Sequence, residues 1–282
     1  MSAQLLQGKP ISQRIRQELK RKIADYKNKH SRPITLASIA VGDDAACGVY
    51  LKAQEKAAGE VGIDYRLYNL PQQTTAEGIR QKIGELNSQA QIDAIILQMP
   101  LPEHIDYKDI ARQISPAKDA EGMHPENLGR LVLGRETIVP CTPAAVMLLL
   151  GETGLDLRGK ETVVVGHSEI VGKPLTLLLL NKFATVSVCH IGTSEAGKLK
   201  DHIQAAEVLI VAVGRAGLVK KDWIRTGAVV IDVGINRIDG KIVGDVQPEA
   251  QEVASFITPV PGGVGPLTVT MLMKNVFYSR FR

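Results

Sequence analysis

Four short runs rich in β-branched residues, ETVVVGH, ATVSVCH, the end of AAEVLIVAVG and GAVVIDVGI, recur roughly every 20 to 25 residues in the second half of the chain, with helical spacing between them. An extended run that is apolar at nearly every position has to be buried on both faces. Repeated with helices between, it dictates a doubly wound parallel sheet of the nucleotide-binding kind.

The first half carries a shorter version of the same theme. ISQRIRQELKRKIADYKNK is an amphipathic helix, TLASIAV a strand, and the stretch around Tyr50 a helix running to Gly62. IDYRLYNL is a second strand, AEGIRQKIGELNSQ a helix, and AIILQMP a buried strand stopped by Pro100. Lys118 to Leu131 reads as a polar crossing punctuated by Gly and Pro. Thr142 reads as a helix N-cap, with Pro143 at the first helical position. The expected organisation is α/β in two domains: a βαβ substrate domain over 1–144, a Rossmann-like domain over 145–265, and a C-terminal helix, 266–282, returning to the first domain.

Composition narrows the partners. Of 282 residues, 44% are hydrophobic and 23% charged, an ordinary globular balance, and the net charge of +4 is spread without a basic run. Nucleic acid is not an expected partner. Cys47, Cys141 and Cys189 lack the spacing of a disulfide framework or zinc site. The N-terminus lacks the order of a signal peptide, and no apolar run reaches the roughly 18 residues of a membrane span. A cytoplasmic protein without membrane attachment is the expectation.

Two glycine-rich segments point to ligands. In VVVGHSEIVGKP, a strand meets a glycine turn and a helix start, and Gly166 and Gly172 would let backbone amides approach a pyrophosphate. The spacing is not GxGxxG, and by itself such a turn suits any α/β protein equally well. TPVPGGVGPLT, from Thr258, holds three glycines and three prolines in eleven residues. So constrained a loop favours lining a ligand over merely turning the chain.

Together with LQMPLP at 97–102, PAKDAEGMHPENLGRL at 116–131, PCTP at 140–143 and the Tyr50 helix, these segments resemble the bifunctional methylenetetrahydrofolate dehydrogenase/cyclohydrolase family, often called FolD. The resemblance runs in order from about Gly8 to Asn275. It implies oxidation of methylenetetrahydrofolate to the methenyl cation with NAD or NADP, followed in typical members by hydrolysis to formyltetrahydrofolate. Tetrahydrofolate derivatives, polyglutamylated forms included, would be the ligands, and the chain would form a homodimer. By the same resemblance Cys47, Tyr50, Gln98, Pro100 and Glu121 would line the folate site with Pro261 and Gly262. Tyr50, Gln54, Gln98 and Glu121 would stand at the reacting centre. Gly166, His167, Ser168, Ile170, Val171, Gly172 and Pro174 would hold the cofactor, joined by Ile235 and Thr268. On the residues alone, Tyr50 is equally a helix-face tyrosine and Gln98 a strand-end polar cap.

The chain departs from the family in one place above all. Where the family's helix carries Ser, Tyr and Lys, this one carries Cys47, Tyr50 and Gln54. Lys52 and Lys56 do not compensate, since they point about 160° and 120° away from Tyr50 around the helix. Gln54 can donate and accept hydrogen bonds but cannot shuttle a proton. Hydrolysis needs that shuttle and hydride departure does not, so a dehydrogenase with weak or absent cyclohydrolase activity is expected. The alternatives are an enzyme with both activities, in which another group replaces the lysine, and a non-catalytic folate or nucleotide binder. Glu121 stands where the family has Asp. His167, Ile191 and Gly192 offer no fixed cation to a 2′-phosphate and tilt the cofactor toward NAD. His124 with Glu121 and Glu126 is too weak a set for a metal, and Asp232 is expected to support loops.

Overall fold

The computed structural model describes residues 2–42 and 45–281, with the side chains of 45–47 outside that description. The chain divides into two compact units, Gln13–Cys141 with Val269–Arg282, and Met1–Ser12 with Thr142–Thr268.

In the first unit three parallel strands stand in the order Asp64–Leu70, Thr35–Val41, Ala94–Leu97. Every residue of the central strand is buried, as an apolar run without alternation requires. The helix Ala76–Ser88 starts where the Thr75 hydroxyl accepts the Gly78 amide at 3.2 Å. It sets Ile79, Ile83 and Leu86 into one core with Ile39, Ile95 and Leu97. Each such burial contributes roughly 1.5–3 kcal/mol. From Val269 on, the C-terminal helix Val264–Ser279 belongs to this unit: Arg16 Nε donates to Thr270 Oγ1 at 2.9 Å, and just beyond the helix Arg280 Nε donates to the Tyr26 hydroxyl at 2.6 Å.

The second unit is built on a six-stranded parallel sheet. Its order is Thr185–Cys189, Glu161–Val165, Val208–Val211, Val229–Asp232, Phe256–Ile257, Gln4–Leu5. The chain first lays a strand on one side of Glu161–Val165 and then crosses to the other, which creates a switch point beside Val208–Val211.

The fold departs from the sequence expectation at several points. Residues 1–12 belong with the second unit, because Gln4 pairs with Phe256 and the Gly8 amide donates to Gly262 O at 2.8 Å. The crossing from Lys118 contains a helix, Pro125–Val132, whose first turn is capped by His124 Nδ1 accepting the Glu126 amide at 3.0 Å. The next helix begins at Cys141, so Thr142 and Pro143 lie inside its first turn instead of capping it. An antiparallel hairpin, Asn236–Ile238 with Lys241–Val243, turns at Asp239 and Gly240, both at positive φ. Among the described residues no helix is long and apolar enough to cross a membrane.

Candidate active site

The Tyr50 helix spans Ala45–Val61, and its inner face carries Gln54 with Ala57, Ala58 and Val61. Gln98 follows directly on the strand Ala94–Leu97. Both amides are out of water, at 0% and 2% exposure, so their donors and acceptors need partners inside the protein. They find them in each other: Gln54 Nε2 donates to Gln98 Oε1 at 3.1 Å, and Gln98 Nε2 donates to Gln54 Oε1 at 2.9 Å. Gln98 Nε2 also donates to Ser38 Oγ at 2.9 Å, and the Tyr65 hydroxyl to Gln54 Oε1 at 3.4 Å. Burial pushes the Tyr50 phenol well above the ordinary tyrosine range, against the opposing effect of Gln54. Lys52 and Lys56 are exposed, on the outer face of the helix.

Glu121 enters from the loop before Pro125–Val132. Asp119 folds that loop by accepting the amides of Glu121, Gly122 and His124 at 3.2, 3.0 and 2.7 Å, and Asn127 Nδ2 at 2.9 Å. Asn275 Nδ2 fixes it from the C-terminal helix, donating to Ala120 O and Val139 O at 2.9 Å each. Gly122 is required there: its φ is +75°, and a Cβ would stand 2.8 Å from the Val139 carbonyl carbon. Glu121 Oε2 accepts the Tyr107 hydroxyl at 3.1 Å. Burial first, then the charge of Asp119, raises the Glu121 carboxyl to about 7 against the opposing effect of the Tyr107 bond. Burial, followed by Glu121 and Asp119, likewise holds the Cys141 thiol protonated. Pro100 is exposed beyond the strand end, and the Cys47 side chain lies outside the described residues.

In the second unit a cavity of about 360 Å³ opens at the switch point, lined among others by Gly166, His167, Ser168, His190, Ile191 and Arg215. A Cβ on Gly166 would meet Ala212 O at 2.3 Å, and one on Gly172 would meet Gly166 O at 2.1 Å. These glycines therefore close the turn against backbone, a tighter demand than room for a ligand. Ser168 Oγ accepts the Val171 amide at 3.2 Å as the helix Gly172–Leu180 begins, while Gly172 and Pro174 are buried and Ile170 is exposed. Of the residues expected around the cofactor, Gly166, His167 and Ser168 line this cavity, and Val171, Gly172 and Pro174 shape the turn behind it. Ile235, Pro261 and Gly262 line a second cavity of the same unit, about 620 Å³, beside Lys9 and Asp232. Thr268 lines neither of these cavities; its hydroxyl lies 3.4 Å from Val264 O and from Thr142 Oγ1.

Two buried carboxylates hold the rims of these cavities. Asp232 accepts the amides of Gly234, Asp245 and Val246 at 2.9, 3.1 and 2.9 Å. Asp245 accepts those of Val213, Gly214 and Arg215 at 2.8, 2.9 and 2.8 Å. Arg215, Asp245, Ser38, Tyr65 and Tyr107 carried no local sequence signal, because each meets its site through the fold.

A crevice at the switch point of a parallel sheet, entered over a glycine turn and the N-terminus of a helix, suits a dinucleotide. The frame is that of a nicotinamide-nucleotide-dependent oxidoreductase. Family models agree: tetrahydrofolate dehydrogenase/cyclohydrolase, catalytic domain, matches residues 6–121, and the NAD(P)-binding domain of the same name matches 140–281. The chain is 47% identical to "Bifunctional protein FolD" of Bacillus pumilus, over all of this chain and 99% of that one. The crystal structure of the bifunctional FolD of Campylobacter jejuni superposes with a TM-score of 0.96 at 43% identity, covering 99% of each chain. FolD of Trypanosoma brucei, solved with NADP and an inhibitor, gives 0.94 at 36%, covering 100% of this chain and 98% of that one. The chain belongs to the tetrahydrofolate dehydrogenase/cyclohydrolase family.

Proposed function

We propose that the protein oxidises 5,10-methylenetetrahydrofolate to the 5,10-methenyl cation with a nicotinamide cofactor, and hydrolyses that cation only weakly. Membership of the family supports the substrate class. The bound cofactor supplies the hydride acceptor. The carbon that loses hydride lies between two nitrogens whose lone pairs spread the resulting charge, so no side chain has to move a proton. Neutral groups, the buried Gln54 and Gln98 with the half-buried Tyr50 and Tyr65, suit the orienting of a planar ring and the exclusion of water.

Weak hydrolysis rests on the reciprocal Gln54–Gln98 pair: the position that carries a lysine in the family is a neutral amide, without a titratable proton, whose nitrogen and oxygen both bond to Gln98. A second reading, a bifunctional enzyme, is favoured by the names of the relatives, which cover both activities. Steady-state rates of both steps on the purified protein separate the two. Hydrolysis about as fast as oxidation supports the second reading; hydrolysis near the spontaneous rate supports the first.

For the cofactor, His167, Ile191 and Gly192 favour NAD. Arg215, in the same cavity, offers a fixed cation to a 2′-phosphate and favours NADP, as does the T. brucei relative solved with it. The ratio of kcat/KM for the two decides. A homodimer belongs to the same reading and is tested by sedimentation.

A further inference from the structure

We infer that a cavity at the N-terminal ends of the strands in the second unit is a separate binding site for a small phosphate monoester with an apolar or aromatic body. The site uses none of the residues assigned above to substrate or cofactor. The cavity, about 410 Å³, lies where four parallel strands begin. Lys160 and Glu207, in its lining, stand one residue before Glu161–Val165 and Val208–Val211, while Val229 and Phe256 are the first residues of their strands. The switch-point cavity opens at the other ends, beyond Val165 and Val211. Four to five extended residues, at about 3.3 Å each, separate the two by roughly 13 Å or more.

Charge decides what the cavity can hold. Lys160 Nζ donates to Glu207 Oε1 at 2.9 Å and the Glu161 amide to Glu207 Oε2 at 3.1 Å, so both carboxylate oxygens are engaged. The Lys160 bond first, then the Glu161 amide, and more weakly the charges of Lys160 and Arg225, hold the Glu207 carboxyl below its ordinary range. Glu207 is therefore an anion, and Lys160 is its cation. Arg225 is surplus to that pair. Its exposed guanidinium carries five donors, none with a hydrogen-bond partner among the described residues, and it lines the cavity beside Thr226. Two cations against one carboxylate leave one positive charge in the lining. It comes from a fork that fits phosphate bidentately, next to an ammonium with two donors to spare.

The rest of the wall is largely apolar. Leu155 and Phe256, both half-buried, line the cavity with Val229. Inorganic phosphate would leave that wall wet, whereas an ester whose body covers Leu155 and Phe256 takes it out of water and gains from the burial. A phosphate monoester, at about −1.5 to −2 charges near pH 7, can meet both cations at once. A carboxylate carries one charge and satisfies the Arg225 fork alone.

The test is calorimetric titration of the full chain with phenyl phosphate at low salt, with benzoate and inorganic phosphate as controls. The expected dissociation constant for phenyl phosphate is about 1 mM or tighter, with both controls weaker by about threefold or more, and it is unchanged by saturating NAD or NADP. Arg225→Gln, an exposed change remote from the switch point, leaves the dehydrogenase rate as it is and weakens phenyl phosphate by about tenfold or more. Amide NMR of the wild type gives a readout that needs no variant: phenyl phosphate shifts Thr226 and Gly227 and leaves Gly166 and His167 in place. Binding weaker than about 1 mM, displacement by either cofactor, a control anion bound as tightly as phenyl phosphate, full-strength binding in Arg225→Gln, or shifts confined to the switch-point turn overturns the site.

Discussion

Gln54 and Gln98, 44 residues apart in sequence, exchange two hydrogen bonds across the inside of one unit, at 3.1 and 2.9 Å. A helix and a strand end are thereby joined by a closed amide pair; an ammonium, with three donors and no acceptor, could not take the bond that Gln98 Nε2 donates.

Removing one member orphans the other. Gln98→Leu leaves the buried Gln54 amide without its main partner and is expected to cost about 1–3 kcal/mol in denaturant unfolding. The double replacement of Gln54 and Gln98 by Leu removes both polar groups and recovers most of that loss. An unchanged midpoint in the single variant contradicts the pairing.

Gly172→Ala places a methyl 2.1 Å from Gly166 O, where only backbone can give way. The turn over the switch point has to open. The KM for the nicotinamide cofactor should rise by about tenfold or more, equivalent to about 1.4 kcal/mol. Unaltered cofactor KM would show that the turn is not part of the cofactor site.

Arg215 is held at the cavity by the bond from its amide to Asp245. Arg215→Met is expected to lower kcat/KM with NADP by about tenfold and to leave NAD use within about twofold, because only NADP carries the phosphate dianion. Equal loss with both cofactors would assign Arg215 to the adenosine instead.

Asp232 titrates unusually high for its type. Burial, partly offset by its three amide donors, raises it from 3.8 to about 6. The folded chain binds this proton more tightly than the unfolded chain. Its contribution is therefore fully present below about pH 4, is lost as pH rises to about 6, and is constant above. The stability of wild type minus that of Asp232→Asn should fall across this interval, by no more than about 3 kcal/mol. A difference that grows with pH contradicts the sign.

Strong apolar runs made most of the sheet legible. TLASIAV coincides with the strand Thr35–Val41, and the runs ETVVVGH, ATVSVCH, AAEVLIVAVG and GAVVIDVGI each contain a strand. Gln4–Leu5 was invisible because two residues carry no period and become a strand only by pairing with Phe256 and Ile257. The Asp239–Gly240 turn was a usable hairpin signal. At the site, helix geometry alone put Gln54 on the Tyr50 face and sent Lys52 and Lys56 outward. Its pairing with Gln98, and the meeting of Tyr107 with Glu121, depend on contacts between distant segments.

The most direct test is to measure oxidation of methylenetetrahydrofolate and hydrolysis of methenyltetrahydrofolate side by side on wild type and Gln54→Lys. The expected result is oxidation far faster than hydrolysis in the wild type, and hydrolysis raised by about tenfold or more in the variant. Wild-type hydrolysis that keeps pace with oxidation, and gains nothing from the lysine, would contradict it.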